Sequence, residues 1–186
     1  MSLFGLIASL HCSSCGRNKE KSNSKNALLG RWGDQVKLIG GQGIANLRID
    51  INEDSTFTMN VEASERAHVL NPYPTLDRIR FQGNWSFKNN GEIHLDGKIK
   101  EFARLITTGQ AASQGFLRDD EAKDKETHYT PLPFERPIIL RKSENGSLFL
   151  SSIQFQGNEP GSQSSDPTTR MIVAVSFKKK TDADKY

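Results

Sequence analysis

A chain of 186 residues with 35% apolar content and a formal charge of +3 fits one domain with short ends. That length can bury roughly two-thirds of the unfolded surface, so neither a disulfide nor a metal is needed to hold a core. The charge excludes a strongly basic nucleic-acid binder, since Lys178, Lys179 and Lys180 form the one basic run and no aromatic residues interleave it. Cysteine is confined to Cys12 and Cys15, so the body carries no disulfide and no thiol chemistry.

Leu3 to Leu10 is an apolar run too short to span a bilayer as a helix. It fits the hydrophobic region of a secretion signal, although no Lys or Arg precedes it. Cys12-Ser13-Ser14-Cys15 has the spacing of a redox or zinc pair, but no thioredoxin-type helix follows and no second pair completes a zinc site. Gly16 to Asn26, rich in Lys, Ser and Asn, has nothing to bury and reads as a tether. The expected organisation is a signal segment at 1–14, a tether at 15–26, a β-barrel at 27–180 and a polar tail at 181–186.

The body alternates apolar and polar residues with a period of two, which marks strands with one buried and one wet face. A first strand starts near Gly30-Arg31-Trp32 and runs to Ile39. Gly40-Gly41-Gln42-Gly43 is a turn and not a phosphate loop, because no Lys-Ser/Thr follows it. The second strand turns Leu47, Ile49 and Ile51 inward, and the third Phe57, Met59 and Val61. The loop 64–76 is stiffened by Pro72 and Pro74. The fourth strand, Asp77 to Lys88, sets Ile79, Phe81, Gly83, Trp85 and Phe87 on one parity. Asn90-Gly91 signals a type I′ hairpin, and the fifth strand follows with Ile93, Leu95, Gly97 and Ile99.

Glu101 to Thr108 reads as a short helix or a continuing strand. The stretch 109–137, with the charged run Asp119 to Glu126, reads as a long surface loop. Ile138 to Arg141 is the sixth strand, and Asn145-Gly146 closes another hairpin. The seventh strand, Ser147 to Phe155, has Phe149, Ile153 and Phe155 on one parity. After a polar loop, the eighth, Arg170 to Lys178, places Met171, Val173, Val175 and Phe177 on one face. About eight strands in meander order predict an all-β fold, a single antiparallel up-and-down barrel.

No catalytic motif stands out. His68, His94 and His128 could ligate a metal only by converging with a carboxylate, and solvated histidines are the default. Asp119, Asp120 and Glu121 do not follow a calcium-loop order. The serines lack a nucleophile-elbow context. Asn84-Trp85-Ser86 and Asn145-Gly146-Ser147 match glycosylation acceptors, read as incidental. Gly83 and Gly97 either leave room inside the barrel or relieve a sharp bend. Trp32 and Trp85 either pack the barrel floor or grip a ligand.

Two short patterns resemble known families. Ser13-Ser14-Cys15-Gly16 resembles the end of a bacterial lipobox, with Cys12 where an aliphatic residue is usual. That resemblance implies a lipidated Cys15 and an envelope-anchored protein. Leu29-Gly30-Arg31-Trp32, Asp54-Ser55-Thr56-Phe57, Gly83-Asn84-Trp85 and Gly91-Glu92-Ile93 together resemble the lipocalin-like lipoproteins of bacterial envelopes, over roughly residues 29 to 100. It implies that tryptophan plugs one barrel end and that an arginine of the last strand, here Arg170, packs on it.

The sequence therefore points to a non-enzymatic, envelope-associated binding protein, lipid-anchored or secreted. The expected ligand is a small apolar molecule inside the barrel, against Trp32, Ile49, Phe57, Met59, Phe81, Trp85, Leu95 and Val173. No cofactor, metal or nucleic acid is expected, and the membrane is reached through the lipid anchor alone. The alternative is a protein-binding module, an inhibitor or envelope assembly factor, acting through the loops 64–76 and 109–137.

Overall fold

The alternating pattern folds into strands throughout. In a computed structural model, residues 25–39, 43–66, 73–88, 91–107, 124–134, 137–161 and 167–181 are described. In chain order the strands are β1 (Gly30–Lys37), β2 (Gly43–Ile51), β3 (Thr56–Glu65), β4 (Thr75–Phe87), β5 (Glu92–Ile106), β6 (Lys125–His128), β7 (Thr130–Pro131), β8 (Ile138–Lys142), β9 (Leu148–Asn158) and β10 (Thr168–Lys179).

Neighbours run antiparallel in the order β10-β1-β2-β3-β4-β5-β8-β9, and β9 pairs back onto β10. The result is a closed eight-stranded barrel with β6 and β7 as additions. Closure removes the exposed edges an open sheet would carry. The short β8 covers one end of the gap between β5 and β9. At the other end β6 pairs with β5 at Ala103–Ile106 and β7 with β9 at Gly157 and Asn158. The expected loop 109–137 thus contains two strands, because main-chain groups there meet sheet partners that β8 is too short to supply.

Side chains of one parity fill the interior. Leu47, Ile49, Ile51, Phe57, Met59, Val61, Ile79, Phe81, Ile93, Leu95 and Ile99 belong to one buried cluster, as predicted, and Phe87 is partly buried against it. Burying a Phe, Leu or Ile contributes about 1.5–3 kcal/mol each.

Departures from strict alternation decide which residues face inward. On β5, Lys100 is an extra residue: Phe81 pairs with Ile99, and Arg80 with Glu101. Such a bulge reverses parity, so Phe102 and Arg104 become inward. Glu101 onward therefore continues the strand to Ile106 and is not a helix. On β9 and β10, Ser151-Ser152 lies opposite Val173-Ala174 and the parity of both strands reverses together. Ala174 has φ 54°, a left-handed value. Leu148 and Leu150 therefore face inward in place of Phe149, which is 39% exposed. Ile172 faces inward in place of Met171, and Val173 is half-buried, outside the core cluster. β1 ends at Lys37, before Ile39.

Three hairpins close one end of the barrel. Ser55, Gly91 and Gly146 have φ of 68°, 82° and 83°. Their amides donate to Asn52, Lys88 and Ser143 carbonyls at 3.3, 3.1 and 3.0 Å. This is the three-residue loop closed by a left-handed residue, in place of the two-residue type I′ turn expected at Asn90-Gly91. Gly83 and Gly97 are Cα partners whose backbones approach too closely for any side chain. A Cβ on Gly83 would run into the Asp96 carbonyl and the Gly97 Cα, so these glycines serve a bend and open no room.

Candidate functional site

The two barrel ends differ in chemistry. At the hairpin end, Trp32 Nε1 donates to the Leu28 carbonyl at 2.8 Å and Trp85 Nε1 to that of Asn52 at 2.9 Å. Both rings are buried. Lys179 Nζ lies 5.6 Å from the Trp32 ring centre and Lys25 Nζ 5.3 Å from that of Trp85. Lys179, and not Arg170, is the cation on Trp32, because Arg170 lies near the start of β10, at the opposite end.

That opposite end holds charge inside the barrel. Glu65, Thr75, Asp77 and, after the bulge, Arg104 all stand on inward parities of β3, β4 and β5, and Arg170 on that of β10. Arg104 grips Asp77 with two bonds, Nε to Oδ1 at 2.6 Å and Nη2 to Oδ2 at 3.0 Å. Arg170 Nε donates to the same Oδ2 at 2.6 Å, and its Nη1 to Glu65 Oε1 at 2.5 Å. β4 and β10 are four strands apart either way around the ring. Arg170 therefore spans the interior to reach the far wall. Ala45 and Ala63, in register with Asp77, keep the intervening wall low.

Burial divides these groups into an enclosed part and a partly exposed one. Asp77 is fully buried, and its carboxylate holds two guanidiniums through charge-assisted bonds, so the pair of arginines still needs a second negative charge. Arg104 is held above its ordinary pKa: burial pulls it down, and the hydrogen bonds and charge of Asp77 push it further up. The Tyr129 ring covers this guanidinium at 5.9 Å. Glu65 differs, since its side chain is 25% exposed and touches Arg170 alone among the arginines with ion pairs here. Beside it, in direct register, Thr75 is 8% exposed and its Oγ1 has no hydrogen-bond partner among the described residues. A buried hydroxyl without a partner costs about 1–3 kcal/mol.

The residues expected to line a ligand cavity occupy the layers below. Trp32, Ile49, Phe57, Met59, Phe81, Trp85 and Leu95 come together at 0–4% exposure. Phe134, from the segment after β7, reaches in so that Phe57, Phe81, Phe134 and Phe155 form a row with centroids 5.0, 4.9 and 5.9 Å apart. A void holding water would leave its walls accessible, and these walls are not. Val173 stands apart from the set.

The histidines do not converge. His94 meets Glu92 at 3.2 Å near the tryptophan end, and His128 is exposed on β6. His68, Cys12, Cys15 and Asp119 to Lys123 lie outside the described residues. Among the described residues no group of three His, Cys, Asp or Glu side chains is placed to hold a metal.

A second polar feature sits on the outer wall, where β1 and β10 pair at Trp32–Lys179 and Gly33–Lys178 and the Lys180 amide donates to the Arg31 carbonyl at 2.8 Å. Arg31, Gln35, Asn46, Arg48, Lys178 and Lys180 line a groove there. Asp50 takes both arginines, at 2.8 and 3.3 Å. The Asp34 carboxylate accepts the Ser176 amide at 2.8 Å and so seals the gap between the strands.

No protein-family model, no curated protein and no solved structure matches the chain.

Proposed function

We propose that this is a non-enzymatic binding protein whose ligand sits at the Glu65–Arg170 end of a filled barrel. The supporting observation is the buried Thr75 hydroxyl, without a hydrogen-bond partner among the described residues, beside an ion pair whose acid, Glu65, is partly exposed. A rigid wall of strands holds these groups, so a ligand meets them without reorganising the fold. A small apolar ligand deep among Trp32, Phe57, Met59 and Phe81 has less support, because those side chains already fill the space.

The protein-partner reading converges on the same end. The expected loop 64–76 is shorter than its bounds, since β3 runs to Glu65 and β4 starts at Thr75, and both strands end beside the charged groups. Tyr129 and Phe134 of the 109–137 stretch pack against the same interior. We keep the envelope anchor at Cys15 within the proposal, on the order of apolar run, cysteine, tether and barrel. Cys15→Ala would then shift the chain from the membrane to the soluble fraction.

The test is native mass spectrometry of the full chain, released gently from cells. Extra mass lost on denaturation, and reduced in Thr75→Val, is the expected result. A bare polypeptide mass with no co-purifying protein counts against the reading.

A further inference from the structure

We propose that the position Glu65 occupies, between Arg170 and Thr75, is a carboxylate site that the chain's own side chain fills until a small organic carboxylate replaces it. The inference rests on the reading that ligands bind at this end, and it adds the chemical class.

The geometry assigns the parts. Arg170 is 8% exposed and anchored through Nε to Asp77, so its Nη1 is a fixed donor aimed at Glu65. Guanidinium recognises a carboxylate through planar, charge-assisted bonds. Thr75 Oγ1 supplies a hydroxyl donor whose proton has no taker among the described residues. Glu65 and Thr75 are directly opposed across β3 and β4, and both face inward. Glu65 binds one oxygen to Arg170 and leaves Thr75 unmatched. A ligand carboxylate, free of the β3 backbone, can place one oxygen on Arg170 and the other on Thr75.

The charge balance also favours a monoanion. Arg104 and Arg170 carry two positive charges, and Asp77 and Glu65 two negative. Asp77 cannot leave, being fully buried and bonded to both arginines. Glu65, the only partly exposed acid of the four groups, can swing toward water when another anion takes its place. The exchange keeps the interior neutral, whereas a neutral ligand that displaced Glu65 would leave Arg170 short of a partner.

The experiment compares hexanoate with 1-hexanol on the full-length protein, read by the Thr75 and Glu65 backbone amide shifts in NMR titrations. Hexanoate is expected to move both amides, and hexanol neither. Glu65→Gln removes the internal competitor and should tighten hexanoate binding about tenfold, or about 1.4 kcal/mol. Thr75→Val removes the second donor and should weaken it by a similar factor. Retained tryptophan fluorescence shows that each variant is folded.

Equal binding of hexanol and hexanoate would overturn the carboxylate inference while leaving the binding end intact. Unchanged hexanoate affinity in folded Glu65→Gln would overturn it as well. Silence from both probes, together with a bare native mass, would overturn the underlying reading too.

Discussion

Asp77→Asn tests the charged end most directly. The substitution keeps shape and volume, so no cavity forms, and it removes one charge from a fully buried site. Three bonds of 2.6–3.0 Å to Arg104 and Arg170 lose their ionic character. The new amide also turns an N–H toward a guanidinium. Glu65, in contact with Arg170 alone, cannot neutralise both arginines. Removing one partner of a buried pair costs about 3–5 kcal/mol. With a urea m-value of about 2 kcal/mol/M, the midpoint falls by about 2 M. Trp32 and Trp85 sit at the other barrel end, so their fluorescence reports global unfolding and not a local change. High salt should not narrow the difference, because a buried network is poorly screened. A midpoint drop below about 0.5 M with m unchanged would refute the account of Asp77 as the anchor.

Three further substitutions probe the backbone and the turns. Gly83→Ala forces a Cβ into the Asp96 carbonyl and should cost about 3 kcal/mol, read as a lower thermal midpoint; a neutral result would show that the bend does not need glycine. Ser55→Gly should stabilise by about 0.5–1 kcal/mol, since Ser55 holds φ 68° where the equivalent hairpin positions carry glycine; urea unfolding decides the sign. Asp54 is held below its ordinary value of 3.8, first by the side-chain bond from Thr56 and then by the Thr56 amide. A lowered folded value means that this stabilisation is present above about pH 4 and is lost as pH falls through the folded pKa. NMR titration of Asp54 should show a midpoint that moves back up in Thr56→Val.

The barrel was legible because period-two alternation is a local property. β2, β3, β4 and the first half of β5 place inward the residues their parity names. Reading failed where a strand inserts a residue. Nothing in Ile99-Lys100-Glu101-Phe102 announces a bulge, so Arg104 could not be assigned to the interior. The paired reversal at Ser151-Ser152 and Val173-Ala174 is worse, because both strands change together and the register stays even. Phe149, Met171 and Val173 were misplaced for that reason. One signal for the charged end was available: Asp77 shares the parity of Ile79 and Phe81, and a charge on a buried parity needs a partner. Its partner Arg170 lies 93 residues away, so parity could flag the need but not the pairing.

The cost of that pairing also bears on function. Two guanidiniums and a carboxylate withdrawn from water rarely stabilise a fold more than apolar side chains of equal volume would. This barrel has ready apolar alternatives, since its other layers are filled with Phe, Ile and Leu. The tryptophan end shows that closure needs no internal charge: two indoles and two main-chain carbonyls suffice. Closing the second end with Arg104, Arg170 and Asp77 therefore does something that closure alone does not require. An arginine stretched across the lumen, with one half fixed to Asp77 and the other offered to an exchangeable acid, is suited to recognising an anion. If stability were its purpose, replacing Asp77, Arg104 and Arg170 together by Leu, Met and Met would lower the unfolding midpoint. The recognition reading expects the triple variant to unfold at or above the wild-type midpoint and to lose the hexanoate response.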